Sequence, residues 1–483
     1  MQDDIDIKTI KKRALRGVMS LTFRRVALQV INFFSINIIL ARFVSPETLG
    51  IFNIGASIIA FFAFFSDIGL AAALIQKKER PSQEHLTTTF SIQQFLVGCI
   101  TAAIFVFAPK FASLYGLDQS GMWLIRALAI SFFLSSLKVI PSVLLERELK
   151  FDLLVIPEIL ETIAFNGLLI GFTMAGYNLW AFVIASLVRG LIGTVIMYGL
   201  APWRVGLGLS RGVAKDLLSF GIPFQMNSVL ALLKDRVVPL FVAKVVGASA
   251  IGFITWAQAL AFLPLEVMNI AIRIMFPTYA RLQEDKGLLT RAVEKSLYLT
   301  TLFLYPMLAG LMGIMPGIVL YIVHSKWQPA VPSFYLFTLA AFWGAISTTC
   351  TNALNATGHI KVTLRLMVFW TVITWILTPI LVVWMGFIGV GVTSAIISFT
   401  SILTVIEIKK IIPVRILPSI GMQVASSVFM GGTIYILTTR FVHSAAGVFS
   451  MVGLGFLIYL VSILFLDGKR VVREVSSIVR RHE

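Results

Sequence analysis

The chain has 483 residues, of which 58% are hydrophobic and 13% charged, against roughly 45–50% and about 25% in ordinary soluble domains. That balance excludes a soluble enzyme, and it supplies enough apolar residues for about fourteen bilayer crossings at roughly 20 residues each. The 40 Lys and Arg against 23 Asp and Glu give a net charge of +17, a surplus whose placement has to be read before it is given a meaning.

Residues 1–17 carry five basic side chains and are followed by no small-residue cleavage site, so they read as a retained cytoplasmic segment. After them, apolar windows separated by polar punctuation predict helices at 18–41, 48–75, 86–108, 122–145, 153–175, 178–201, 216–243, 249–275, 292–315, 329–354, 363–383, 387–406, 416–439 and 445–466. An even number of crossings returns the C-terminus to the starting side. With the N-terminus inside, the terminal segments and alternate loops on that side hold 26 Lys and Arg; the other side holds only Arg42, Lys110, Lys244, Lys326 and Arg440. The positive surplus is therefore mainly a topological signal that places both termini in the cytoplasm. The loops between windows are short, which leaves no room for an external catalytic domain.

The chain also repeats itself. ARFVSPETLGIF at 41–52 aligns without gaps on AKVVGASAIGFI at 243–254, an offset of 202 that pairs Arg42 with Lys244 and Gly50 with Gly252. A weaker match pairs LERELKF from Leu145 with LNATGHI from Leu354, at an offset of 209. Six helices separate equivalent elements, so the copies share one orientation in the membrane. The expected fold is an all-α polytopic membrane protein of about fourteen transmembrane helices: an N-lobe at 18–210 (helices 1–6), a C-lobe at 211–411 (helices 7–12), helices 13 and 14 at 412–466, and a basic cytoplasmic tail at 467–483. Cys99 and Cys350 both fall in apolar windows and read as packing residues rather than a disulfide.

Nine basic residues remain inside the windows: Arg24, Arg25, Arg126, Lys138, Arg189, Lys234, Arg236, Arg273 and Lys295. A charge at the centre of a membrane helix costs about 2.5–3.5 kcal/mol on insertion scales, so central ones should face a wet cavity or a partner. Lys138, Arg189, Lys234 and Arg236 are the candidates for binding an anionic substrate. The acidic set is Asp67, Glu158, Glu161, Asp235 and Glu266, candidate counter-charges or coupling sites; Glu158 and Glu161 equally suit structural salt bridges. Helical spacing places Asn53, Ser57, Ala60, Phe64 and Asp67 on one face, and Thr255, Gln258, Phe262, Glu266, Asn269 and Arg273 on another, with Asp67 and Asn269 equivalent at the repeat offset. These read as polar stripes along a shared cavity; helix-to-helix polar packing is the plainer alternative. Ser131, Ser135, Lys138 and Ser142 form a further stripe. All five histidines fall in loops or at the terminus, so a histidine proton relay is not expected, and any coupling to a proton or sodium gradient would use a carboxylate or a bound sodium ion. No phosphate-binding glycine loop, HExxH, CxxC pair or activated nucleophile is present, and no enzyme, metal site or cofactor is expected. The divided cations also disfavour nucleic acid.

Several segments carry a resemblance in order along the chain: ARFVSPETLGIFNIG, FSDIGLAAALIQKK, HLTTTF, LLERELKF, FGIPFQMNSVL, VGASAIGFITWAQAL, FPTYARLQED, SKWQPAVP and NATGHIK. Together they resemble the polysaccharide-transporter branch of the multidrug/oligosaccharidyl-lipid/polysaccharide exporter superfamily, the Wzx-type flippases, nearest to exporters of colanic-acid and teichuronic-acid type. The resemblance implies a flippase of a prokaryotic inner membrane. It would carry polyprenyl-diphosphate-linked oligosaccharide from the cytoplasmic to the outer leaflet by alternating access, with the bilayer and other polysaccharide-assembly proteins as partners. One departure stands out: where that family's seventh helix commonly has a single Asp, this chain reads LLKDRVVPLFVAKVVG. The rival readings are a multidrug or cation antiporter of the same superfamily, against which the predominance of basic groups counts, and a polytopic glycan polymerase, which would need a catalytic loop.

Overall fold

Helix starts follow side-chain chemistry. Ser45 accepts a hydrogen bond from Thr48 N at 3.1 Å, with Pro46 at the first helical position; Asp118 accepts from Gly121 N at 2.8 Å, and Asp285 from Leu288 N at 2.8 Å. Each side chain satisfies an amide that has no intrahelical partner. The computed structural model describes residues 27–66, 68–77, 79, 81–226 and 237–479. Among these no strand occurs, and the chain forms two compact units, one ending at Gly252 and the other beginning at Phe253.

The first unit holds α1 (Ala27–Phe43), α2 (Pro46–Ala63), α3 (Leu70–Gln76), α4 (Gln83–Leu114), α5 (Gln119–Ser136), α6 (Val139–Arg147), α7 (Phe151–Met174), α8 (Leu179–Leu200), α9 (Arg211–Met226) and the start of α10 (Val238–Phe262). The second holds the rest of α10, then α11 (Glu266–Leu282), α12 (Lys286–Gly317), α13 (Val331–Ala356), α14 (Ile360–Met385), α15 (Ile388–Thr400), α16 (Ile402–Lys409), α17 (Ile416–Phe441) and α18 (Ala445–Val479). Among the described residues eleven helices are long and apolar enough to cross a membrane, or twelve if the bent pair α5–α6 is one span. Of the fourteen windows, the first reaches the described residues only as the shorter α1, and the seventh runs into residues 227–236, which lie outside them.

Some windows differ from their predicted form. The second stops at Ala63; the chain turns, and α3 restarts after Gly69, whose φ of 78° is left-handed. A β-carbon on Gly69 would lie 2.4 Å from Gly221 O, and one on Gly221 would lie 2.3 Å from Ile68 O, so α9 crosses this turn at backbone contact and both positions must lack a side chain. Gln225 Nε2 donates to Phe64 O at 2.9 Å, covering a carbonyl left open by the end of α2. The eighth window, which opens just beyond the break at Gly247 within α10, ends in a short turn at Leu263–Leu265, where Pro264 cannot continue the α-helical ladder; α11 then begins at Glu266. The fourth divides into α5 and α6, bent by 41°.

The repeat has a structural counterpart. Gly247, at φ 79° and ψ 175°, breaks α10 at the position equivalent to Ser45, the cap between α1 and α2. Just beyond these breaks the equivalent helix starts cross. A β-carbon on Gly50 would fall 1.8 Å from the carbonyl oxygen of Ala248, and one on Gly252 would fall 1.9 Å from that of Pro46. Residues 46 and 248, and 50 and 252, are each 202 apart, so each copy offers the other the same contact. That reciprocity is the signature of a two-fold relation.

The LLERELKF motif meets the IQKK end of α3 through one side chain. Arg147 donates to Leu74 O, to Ile75 O at 3.1 Å, to Lys77 O at 2.7 Å and to Glu79 O at 2.8 Å. A guanidinium fork thus closes the carbonyl end of α3, where the helix dipole favours a cation. Cys350 is buried, as its apolar window implied, but Cys99 is exposed on α4, on a surface that a bilayer would cover. It is therefore not a packing residue within this chain.

Candidate functional site

The break between α5 and α6 has a covalent cause. Pro141 has no N–H, and its ring excludes the carbonyl of residue 137 from the helical ladder. Leu137 O instead accepts from Tyr198 Oη at 3.0 Å, and Ser136 O from Gln94 Nε2 at 3.3 Å. Thr194 Oγ1 on α8 donates to Leu134 O at 2.7 Å. In lipid, apolar burial gives helices little drive to associate, and small residues with interhelical hydrogen bonds hold them together; Gly190 lets α8 approach Ser131 on α5 at contact distance. These bonds fix Lys138 at the N-cap of α6.

From there Lys138 Nζ makes a hydrogen-bonded ion pair with Glu161 Oε1 on α7. The Glu161 side chain is 5% exposed and that of Lys138 is 20% exposed. Gly193 on α8 lies against the carboxylate; a β-carbon there would sit 1.6 Å from Glu161 Oε1. The other carboxylate oxygen faces Arg189 of α8, with Nε 3.9 Å from Oε2. Arg189 is half-exposed, its guanidinium lies 5.5 Å from the centroid of the Phe165 ring, and among the described residues it makes no hydrogen bond. Phe165 in turn contacts Phe52 of α2, ring centroids 6.2 Å apart.

The two contacts to Glu161 differ in strength. Removing one partner of a buried ion pair strands the other and costs about 3–5 kcal/mol. An exposed pair beyond hydrogen-bond length contributes about 0–1 kcal/mol. Lys138 and Glu161 are therefore a fixed pair, while Arg189 is a cation beside them with its donors available and one net positive charge left over.

Of the other candidates, Lys234, Asp235, Arg236 and Asp67 lie outside the described residues. Glu158 is part-buried one turn before Glu161 on α7. Asn53 Nδ2 donates to Leu49 O within α2 at 2.9 Å, and Ser57 is part-buried on the same helix. Gln258 is part-buried on α10; Glu266 opens α11 and Arg273 is exposed on it, while the side chain of Asn269 is outside the described set. The stripes do not continue as drawn. α2 ends at Ala63, before Asp67, and the turn at 263–265 separates Gln258 from Glu266. The serine stripe is likewise cut at Lys138, leaving Ser131 donating to Ser186 O at 2.7 Å and Ser142 to Lys138 O at 2.9 Å.

Sequence reasoning missed Gln94, Gly193, Thr194 and Tyr198, which build the seat, and Asn166. Asn166 Nδ2 donates to Asn32 Oδ1 of α1 at 3.0 Å and to Thr162 O at 2.8 Å. The available signal was Pro141 three residues after Lys138: it frees a carbonyl, and a freed carbonyl within a membrane calls for a donor such as Tyr198.

In the second unit, α12, α13 and α17 line an open apolar pocket of about 740 Å³, reached by Tyr305, Met312, Tyr335, Trp343, Val428 and Tyr435. Tyr305 Oη donates to Phe342 O at 3.2 Å and Tyr335 Oη to Met312 O at 3.3 Å, so these phenols turn their polar ends into backbone and their rings to the space.

Comparison with known proteins places the chain. The family described as "Polysaccharide biosynthesis protein" matches residues 39–332, more than half of the sequence. The chain belongs to that family. Among curated relatives it is 24% identical over 347 residues to the lipopolysaccharide biosynthesis protein WzxC of Escherichia coli (strain K12), covering 69% of this chain and 68% of that protein. It is 25% identical over 307 residues to the succinoglycan biosynthesis transport protein ExoT of Rhizobium meliloti (strain 1021), covering 62% of this chain and 61% of that protein, just under two thirds of its length. Among solved structures it is similar to the lipid II flippase MurJ in an inward closed conformation, with a TM-score of 0.72 at 16% identity, covering 95% of this chain and 100% of that one. At that identity the likeness is one of fold. The family expected from the ordered motifs is the one matched, and the chain is a multi-span helical membrane protein.

Proposed function

We propose that this polysaccharide biosynthesis protein is a flippase that moves polyprenyl-diphosphate-linked oligosaccharide from the cytoplasmic to the outer leaflet of a prokaryotic inner membrane. The physical difficulty is carrying a polar, anionic head across about 30 Å of hydrocarbon. The observation that carries the reading is Arg189: a half-exposed guanidinium within a membrane helix, making no hydrogen bond among the described residues and standing beside a second cation and its carboxylate. A guanidinium fork suits the oxygens of a diphosphate or an acidic sugar. The apolar pocket of the second unit offers a surface of the right character for a lipid chain. The name of ExoT, a succinoglycan biosynthesis transport protein, and that of MurJ, a lipid II flippase, support the same class of substrate.

Both termini are cytoplasmic in this reading, in keeping with the bias of Lys and Arg along the sequence. In this reading the lobes at 18–210 and 211–411 alternate in access, and the reciprocal contacts at Gly50 and Gly252 support the duplication. The test is export in a cell deprived of its own flippase for a matching glycan. The wild-type chain should restore surface polysaccharide, and Arg189→Gln should lower export about tenfold or more, the equivalent of one charge-assisted contact. Wild-type cells that expel cationic dyes but export no glycan would instead support the antiporter reading.

A further inference from the structure

Glu161 poses a question that binding alone does not answer: an anion-binding site that already contains an anion. One carboxylate is divided between two cations, Oε1 on Lys138 and Oε2 toward Arg189. Its seat is built, since Gly193 is the residue that leaves room for it and any side chain there would collide with Oε1. The asymmetry between its partners is as marked. The Lys138 amine is largely covered and hydrogen-bonded to the carboxylate; the Arg189 guanidinium is half-exposed, stands 3.9 Å off through Nε and rests on the face of Phe165. An incoming anion therefore meets Arg189 first, and meets it with its donors uncommitted.

We propose that Glu161 is a resident counter-anion, seated where the head of the substrate goes, and that an entering phosphate or sugar carboxylate takes Arg189 from it while Lys138 keeps Glu161. This deepens the export reading and rests on it. In the empty protein the carboxylate offsets one of the two positive charges and stands beside both cations, which lowers the cost of holding them within the membrane. When the substrate anion arrives, the Arg189 fork closes on it with two parallel hydrogen bonds, a stronger arrangement than the loose contact it replaces. On release Glu161 recovers Arg189, so the head leaves without stranding a charge. The carboxylate thereby sets affinity: it keeps the site from holding its cargo too tightly to let go.

The experiment measures binding of inorganic pyrophosphate, and separately of glucuronate, to the purified full chain in detergent by calorimetry. The two probes distinguish the diphosphate from an acidic sugar as the group that Arg189 takes. Glu161→Gln removes the competing charge but keeps an oxygen for Lys138, and it should bind at least one probe about tenfold more tightly than wild type. Arg189→Gln should abolish that gain. Glu161→Asp, which keeps the charge on a shorter reach, should fall between wild type and Glu161→Gln, and it gives the answer alone if Glu161→Gln does not fold. Unchanged or weaker binding by the Glu161 variants, with wild-type binding intact, overturns the exchange and leaves the export reading standing. Absence of binding by wild type and Glu161 variants alike overturns both the exchange and the anion site.

Discussion

Lys138→Met is expected to be the most damaging single change in the first unit, and more damaging than removing the whole pair. With the amine gone, Glu161 remains 5% exposed beside Gly193 with only the distant Arg189 to offset it; stranding a buried charge in this way costs about 3–5 kcal/mol. The double variant Lys138→Met/Glu161→Gln leaves no charge stranded and should recover most of that loss, since an uncharged pair of similar volume often packs as well as the ions did. Thermal unfolding in detergent gives the three values, and the cycle isolates the coupling. Export should behave differently. The double variant folds but lacks the fixed pair beside Arg189, so it should remain defective in glycan export. A double variant as unstable as Lys138→Met would mean that the amine is held by something other than Glu161.

The second large effect concerns the crossing at Gly50 and Gly252. An added methyl at either position meets a backbone carbonyl, at 1.8 Å or 1.9 Å, and backbone cannot rotate aside as a side chain can. Gly50→Ala and Gly252→Ala should each cost about 1–3 kcal/mol, the usual range for overpacking, despite the better helix propensity of Ala. Their combination is the informative variant. Both substitutions push apart one crossing, so the double variant should cost clearly less than the two single costs added together. Full additivity, read from unfolding midpoints, would show two independent contacts and remove the two-fold reading of the repeat.

That repeat was legible because equivalent residues must recur at a fixed offset; that Gly50 meets Ala248 while Gly252 meets Pro46, each residue touching the other's equivalent, was visible only in the structure. The charged members of the site were legible for a different reason. Lys138, Glu161 and Arg189 stand in apolar windows where a charge is costly enough to require a cause. Their mutual pairing was not readable, because it joins three helices whose relative rotation depends on side chains such as Gly190, Gly193 and Thr194 that carry no chemical signal of their own. The polar stripes misled where they assumed an unbroken helix. The left-handed Gly69 and the turn at Pro264 interrupt the period of 3.6 on which a shared face depends, so Glu266 cannot be assigned to the face of Gln258 by spacing. Pro141 could have given warning at Lys138. Proline in a membrane window is common, and its effect becomes specific only once Tyr198 and Gln94 are seen taking the freed carbonyls.

The central claim is that this member of the polysaccharide biosynthesis family carries an anionic, lipid-linked head past Arg189. Its most direct test is transbilayer movement of a fluorescent polyprenyl-diphosphate oligosaccharide in vesicles reconstituted with the purified chain, read by quenching of the label from outside. The account predicts movement well above that in protein-free vesicles and a fall of about tenfold with Arg189→Gln, the loss of one charge-assisted contact. Movement no faster than in empty vesicles, or movement indifferent to Arg189, would contradict it.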